Sequence, residues 1–186
     1  MSITIKPLSP EILNDYLYFF DHITFQENPD WSKCYCYSFH FTGTDDQWIK
    51  EKNRETVIEM INNGELTGYL AFSGDKPVGW CNVNNRLNYQ RLMTYYDLID
   101  NPNDKVCSIV CFLIHPDFRR HGIAQKLLSK IIENYSKKDF DYIESYPGKG
   151  HYSCEGHYRG PFELYQKNGF TIHKEKDDYY IMRKEL

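Results

Sequence analysis

The chain of 186 residues is long enough to fill one hydrophobic core and short for two, and with 41% hydrophobic and 26% charged residues it has the make-up of a single globular domain over residues 1–186. Its formal net charge of -4 lacks the basic excess that general nucleic-acid or anionic-membrane binding calls for, and leans toward a cationic or amine-bearing partner. No apolar run approaches the roughly 20 residues of a membrane span and no basic segment leads into an apolar core, so the expectation is a cytoplasmic protein with neither membrane nor nucleic acid as partner. The six cysteines, dispersed along a chain too long to need staples, fit reduced thiols in that compartment.

Residues 2–6 predict a first strand, and residues 10–20 a helix with Ser9 as its cap and Pro10 in its first turn. Trp48, Ile49, Val57, Ile58 and Ile61 recur among charged residues before Asn63-Gly64, which predicts a second helix over 46–63. Residues 66–72 and 77–83, joined through Ser73-Gly74-Asp75-Lys76, read as a hairpin. Residues 84–104 are polar and aromatic, and read as a long excursion with a short helix around 89–98.

The most telling stretch comes next. Residues 106–114 form a nearly unbroken apolar run of strand length, as expected of a strand buried on both faces, and Pro116 stops it. Ile123, Ala124, Leu127, Leu128, Ile131, Ile132 and Tyr135 then follow the spacing of a helix with a wide apolar stripe, opening close to Gly122. The first amides of such a helix have no partner within it and carry the positive end of its dipole. Gly122 lets an anion approach them, and Arg119, Arg120 and Lys126 add positive charge at the same point, so the turn suits a pyrophosphate. Farther on, 140–146 reads as a strand and Pro147-Gly148-Lys149-Gly150 as the start of a loop. Phe162-Glu163-Leu164-Tyr165-Gln166-Lys167-Asn168-Gly169-Phe170 reads as a helix ended by Gly169, and 170–174 with 179–183 as a closing hairpin.

Arg119-Arg120-His121-Gly122-Ile123-Ala124 resembles the Arg/Gln-x-x-Gly-x-Gly/Ala signature of the GCN5-related N-acetyltransferases, the GNAT superfamily. Leu164-Tyr165 followed by Gly169-Phe170 resembles a second signature of that family, in the right order and setting. The resemblance implies an α/β (α+β) fold: a central mixed, mostly antiparallel sheet whose parallel fourth and fifth strands splay apart, flanked by helices. It implies acetyl-CoA as cosubstrate, with the backbone of Phe112, Leu113 and Ile114 pairing with the pantetheine arm. Arg119, Arg120, His121, Gly122, Ile123, Ala124 and Gln125 would surround the pyrophosphate. The implied activity is transfer of an acetyl group to a primary amine of a small molecule or peptide, by direct attack in a ternary complex. A CoA-binding sensor or a degenerate member without turnover is the alternative, and a homodimer is an arrangement the family brings with it.

Amide formation from a thioester needs a deprotonated amine, a polarised carbonyl and a proton for the departing thiolate. By motif position Tyr165 is the candidate acid, and the thioester oxygen falls near the backbone of Ile114. Glu144, toward the end of the fifth strand, is the candidate base, against a plain strand carboxylate. His115 at the strand exit reads as a surface residue, and His151, Cys154 and His157 as loop residues near the acceptor site. Tyr158 and Pro161 stand where many members of the family have asparagine and alanine, so the loop departs from the common pattern. The aromatic run from Trp31 to Phe41 lies where the family varies its acceptor wall, and Trp31, Tyr35 and Cys36 are the candidate substrate contacts, against plain packing. Cys34, Cys36 and His40 lack the second Cys-x-x-Cys half of a zinc site, so no metal is expected.

Overall fold

Alternating and apolar segments become seven strands of one sheet among the described residues, which are 2–95, 101–150 and 157–186 of the computed structural model. They are β1 (Ile3–Pro7), β2 (Gly68–Ser73), β3 (Lys76–Asn85), β4 (Val106–Ile114), β5 (Tyr142–Ser145), β6 (Thr171–Glu175) and β7 (Tyr180–Glu185). The sheet order is β1-β2-β3-β4-β5-β7-β6, and every neighbouring pair is antiparallel except β4 and β5. This is the mixed, mostly antiparallel sheet that the resemblance implied.

Two details of β4 position everything that follows. Its parallel ladder with β5 runs only from Val106↔Tyr142 to Ile109↔Ser145, whereas its ladder with β3 continues to Gly79↔Ile114. Beyond Ile109 the sheet therefore opens on the β5 side. At the same point Asn82 faces Cys111 while Val83 faces Ile109, leaving Val110 as an extra residue, a β-bulge. Cys107, Ile109 and Phe112 pack on one face of the sheet, and Val110 and Cys111 both pack on the other.

The first face is covered by α4 (Ile123–Tyr135) and α5 (Phe162–Lys167). Of the stripe read from the spacing, Ile123, Leu127, Leu128, Ile131 and Tyr135 are buried there, each side chain contributing about 1.5–3 kcal/mol by leaving water, while Ala124 and Ile132 are half-buried beside them. Ile131→Val, which removes one methyl group at a fully buried position, is expected to lower the unfolding free energy by about 0.5–1.5 kcal/mol in a urea titration.

The opposite face is covered by α1 (Leu13–Tyr18), α2 (Lys50–Asn62) and the segment between them, with α3 (Gln90–Tyr95) after β3. The single helix expected over 10–20 is divided. A 3-10 turn at Pro10–Ile12 leads into α1, and a π-helical turn, Phe19–Ile23, follows it and buries Phe19, Phe20 and Ile23. Ser9 makes no side-chain cap there. The second helix is preceded by a capping box between Thr44 and Gln47 and starts at Lys50 rather than at 46. Part of the expected 89–98 helix lies outside the described residues.

Candidate active site

The anion-binding turn forms as the spacing predicts. After β4, Pro116–Phe118 make a 3-10 turn in which His115 Nδ1 accepts from the Asp117 amide, and Gly122 caps α4 with φ of 74°. Arg120 is also in the left-handed region, at φ 63°. A Cβ built on Gly122 would meet nothing within 4 Å, so the space in front of the first α4 amides is open. His121 is exposed, its Nδ1 2.7 Å from the Arg119 carbonyl. Gln125 forms a reciprocal amide pair with Asn168 at the end of α5, at 2.7 and 3.0 Å, so it tethers the two helices by its side chain and leaves only its backbone for an anion.

Arg119 is already engaged. Its guanidinium makes a 2.5 Å ion pair with Glu27 and its Nε donates to the Ile114 carbonyl at 3.4 Å. The Arg119 hydrogen bond is the main reason the Glu27 carboxyl is held below the usual glutamate value. The loop after α1 is thereby fastened across the mouth of the turn, a link that sequence spacing does not reveal.

From this turn a cleft of about 520 Å³ runs along the opened end of β4. Phe112, Leu113, Ile114, Arg119, Arg120 and Ala124 line it, all from the expected cofactor set. Facing them are residues 24–28 and Trp31, and Gly160, Pro161 and Glu163 close one end. The amides of His115 and Phe112 point to opposite sides of β4, to Val78 and to Tyr158 respectively, so strand alternation turns Ile114 N–H into the opening. The Phe112 amide is taken up by the Tyr158 carbonyl at 2.5 Å. Residues 158–160 thus form a strap over the free edge of β4.

The same strap caps Tyr165. That phenol is fully buried and donates to the Arg159 carbonyl at 2.5 Å, with Gly160 so close that a Cβ there would lie 2.6 Å from the Tyr165 oxygen. Burial pushes its pKa well up, so it keeps its proton. Tyr165 stands behind the strap, next to the cleft rather than in its lining.

A second cavity of about 290 Å³ lies on the α1 side, sharing Phe25, Trp31 and Leu113 with the cleft. The Trp31 and Tyr158 rings meet edge to face at 5.8 Å in the wall between the two. Of the expected acceptor contacts, Trp31 and Cys36 line this pocket. Tyr35 does not: its side chain is fully buried, its hydroxyl donates to Asp21 and its carbonyl accepts from Tyr16, so it holds the segment in place. Phe39, Trp48, Arg91 and Cys111 complete the walls. Trp48 and Arg91 reach them from segments that carry no motif.

The expected base is corrected. Glu144 is 1% exposed, lines neither cavity and is the hub of a buried ion network. Its oxygens accept from Arg86 at 3.1 and 3.2 Å, from Arg183 at 2.6 and 2.9 Å, and from the Tyr146 hydroxyl at 3.0 Å. A carboxylate shared between two guanidiniums away from both cavities has no free path to an acceptor. His157 lines the cleft, whereas His151 and Cys154 lie outside the described residues. Among the described residues no group of three or more His, Cys, Asp or Glu is arranged to hold a metal ion, and no helix is long and apolar enough to cross a membrane.

Residues 23–152 match the family model described as the acetyltransferase (GNAT) family. A tRNA(Met) cytidine acetyltransferase of Methanopyrus kandleri is 35% identical over 52 residues, which is 28% of this chain, and the chain spans 6% of that relative's length. A PaiA N-acetyltransferase from Thermoplasma acidophilum, solved in complex with coenzyme A, superposes with a TM-score of 0.58 at 19% identity, covering 100% of both chains. A GNAT-family acetyltransferase from Listeria monocytogenes gives a TM-score of 0.63 at 12% identity, over 99% of this chain and 95% of that one. At such identities the superpositions establish the fold.

Proposed function

Because the chain belongs to the acetyltransferase (GNAT) family, we propose that it transfers an acetyl group from acetyl-CoA to a primary amine, with both substrates bound together and the amine attacking directly. The observation that carries this reading is that the two cavities adjoin across a shared wall. An open helix N-terminus leads along the end of β4, beyond its ladder with β5, to an aromatic pocket that shares Phe25, Trp31 and Leu113 with the cleft. A diphosphate fits the first α4 amides because Gly122 presents no side chain and its surroundings leave the approach clear. The Ile114 amide faces the opening as a donor for a carbonyl oxygen. Acetyl-CoA supplies the activated thioester, and Tyr165, protonated and adjoining the cleft, supplies a proton to the departing sulfur once the Arg159 carbonyl releases it. The walls of Trp31, Phe39 and Trp48 suit the apolar or cationic body of a small amine.

One observation favours a second reading, binding without turnover: the strap holds both the Phe112 amide and the Tyr165 hydroxyl. The two are separated by calorimetry with coenzyme A and a thiol-release assay with acetyl-CoA over a panel of primary amines. Affinity with amine-dependent release supports transfer; affinity without release supports the second reading; no affinity removes both. Under the first, Tyr165→Phe should lower kcat about 100-fold with little change in KM for acetyl-CoA, and an unchanged kcat would remove Tyr165 as the acid.

A further inference from the structure

Two hydrogen-bond donors that acetyl transfer requires are already in use by the chain itself. Residues 157–160 form a tight turn in which the Gly160 amide donates to the His157 carbonyl at 2.7 Å. The next carbonyl, of Tyr158, accepts from the Phe112 amide, and the one after it, of Arg159, accepts from the Tyr165 hydroxyl, each at 2.5 Å. The ladder between β4 and β5 ends at Ile109↔Ser145, so the bond to Phe112 is made by a turn that meets β4 beyond its pairing with β5. On the strap's side both contacts are main-chain oxygens. Along β4 alternate amides share a direction, which puts the Phe112 and Ile114 N–H groups on the same side. Transfer from a thioester asks for an N–H group at its carbonyl oxygen and an O–H group at its departing sulfur. Two consecutive carbonyls of the strap hold one donor of each kind.

Resting on the acetyl-transfer reading above, we infer that residues 158–160 are an internal stand-in for the acyl donor, and that acetyl-CoA takes its place on β4 by expelling them, which frees the Phe112 amide and the Tyr165 hydroxyl in one movement.

The local structure suits such an exchange. Gly160 is in the left-handed region at φ 81°, and a Cβ there would lie 2.6 Å from the Tyr165 oxygen and 2.9 Å from two of its ring carbons. The closed position therefore depends on a residue without a side chain. Pro161 follows with a φ of -73° and caps α5, which gives the strap a firm end to turn about. At the other end the Tyr158 ring meets Trp31 edge to face at 5.8 Å, and its hydroxyl accepts from Arg159 Nε at 3.1 Å. Tyr158 and Arg159 are only half-buried, whereas Tyr165 is fully buried. Its hydroxyl would lose its partner if the strap left alone, so the closed state persists until another acceptor arrives. A thioester brings the replacements, a carbonyl oxygen for the Phe112 amide and a sulfur for the phenol, and the strap's own carbonyls pass to water. While the strap is closed the donor meets a filled site, and its apparent affinity is lowered by the fraction of molecules that are open.

The test has two arms, both with acetyl-CoA in the absence of amine. In the first, its affinity for the wild type and for Gly160→Ala is measured by calorimetry. Alanine opposes the closed strap twice, through the φ of 81° and through its contact with Tyr165, and so raises the open fraction. The variant should bind acetyl-CoA about 10-fold more tightly than the wild type, a gain that a purely structural role for Gly160 would not produce. In the second arm, hydrogen exchange of the wild type is followed by mass spectrometry with and without acetyl-CoA. The amides of residues 158–160 should exchange faster when the donor is bound, the reverse of the protection expected where a ligand simply covers a segment. If Gly160→Ala does not fold, this arm decides alone. The inference is overturned if a folded Gly160→Ala binds acetyl-CoA no more tightly than the wild type, or if the donor slows exchange at 158–160 or leaves it unchanged. Either result with wild-type affinity intact leaves the acetyl-transfer reading standing. Absence of affinity in both proteins removes that reading, and this inference with it.

Discussion

Glu144→Gln is expected to lower the unfolding free energy by about 3–5 kcal/mol, because removing one partner of a buried ion cluster leaves the others charged and uncompensated. Arg86 and Arg183 are 3% and 9% exposed, so neither can recover its hydration by turning outward. Asp104, 3.1 Å from Arg183 Nη1, retains one of the two guanidiniums, while Arg86 loses the carboxylate it holds at 3.1 Å. The cluster joins the end of β3, the chain before β4, the middle of β5 and the last strand β7, so its loss loosens the half of the sheet where β4 and β5 are still paired. Urea unfolding should show a lower midpoint with an unchanged slope. At a temperature where the variant is folded, kcat should be close to that of the wild type. Full stability combined with a kcat loss of 100-fold would return Glu144 to the role of base.

Gly122→Val is expected to weaken coenzyme A binding about 10- to 100-fold, equivalent to roughly 1.4–2.8 kcal/mol. Valine is strongly disfavoured at a φ of 74°, so the turn must shift for the side chain to be accommodated. Apart from its two chain neighbours, no residue lies within 4 Å of the new Cβ, so the loss comes from the altered backbone and from the branched side chain standing where an anion approaches the α4 amides, not from a clash in the core. Calorimetry at two ionic strengths would test both parts, since an electrostatic cradle should bind less tightly as salt rises. A valine variant that binds coenzyme A as the wild type does would show that the diphosphate is held elsewhere.

What could be read from the chain alone divides along a physical line. The strand at 106–114, the stripe of α4 and the stop at Gly169 depend on neighbours within a few residues, and each has the position that its spacing predicts. Glu144 was opaque because the partners that decide its role are 58 residues before it and 39 after it, and nothing in a short strand announces them. Tyr35 and Cys36 illustrate the same limit at closer range. An aromatic run suggested contacts to a substrate, yet two adjacent left-handed residues send one side chain into the core and the other to the pocket wall. Trp48 and Arg91 become part of that wall only once α2 and the excursion after β3 have docked. The departures at Tyr158 and Pro161 were visible in the chain, but the grip of residues 158–160 on Phe112 and Tyr165 is a matter of tertiary placement.

Val110 has a geometric consequence that reaches both cavities. A pleated strand reverses the facing of its side chains at every step, so one surplus residue taken into the pleat would invert everything after it: the Cys111 sulfur would turn beneath α4, and the Phe112 ring would enter the space now bounded by Trp31 and Trp48. Absorbed as a local irregularity, it lets the two halves of β4 share one inside and one outside while the second half bends away from β5. Deleting it should therefore leave every other residue of the strand facing as before and straighten the ribbon, closing the gap between β4 and β5 on which access to the donor cleft depends.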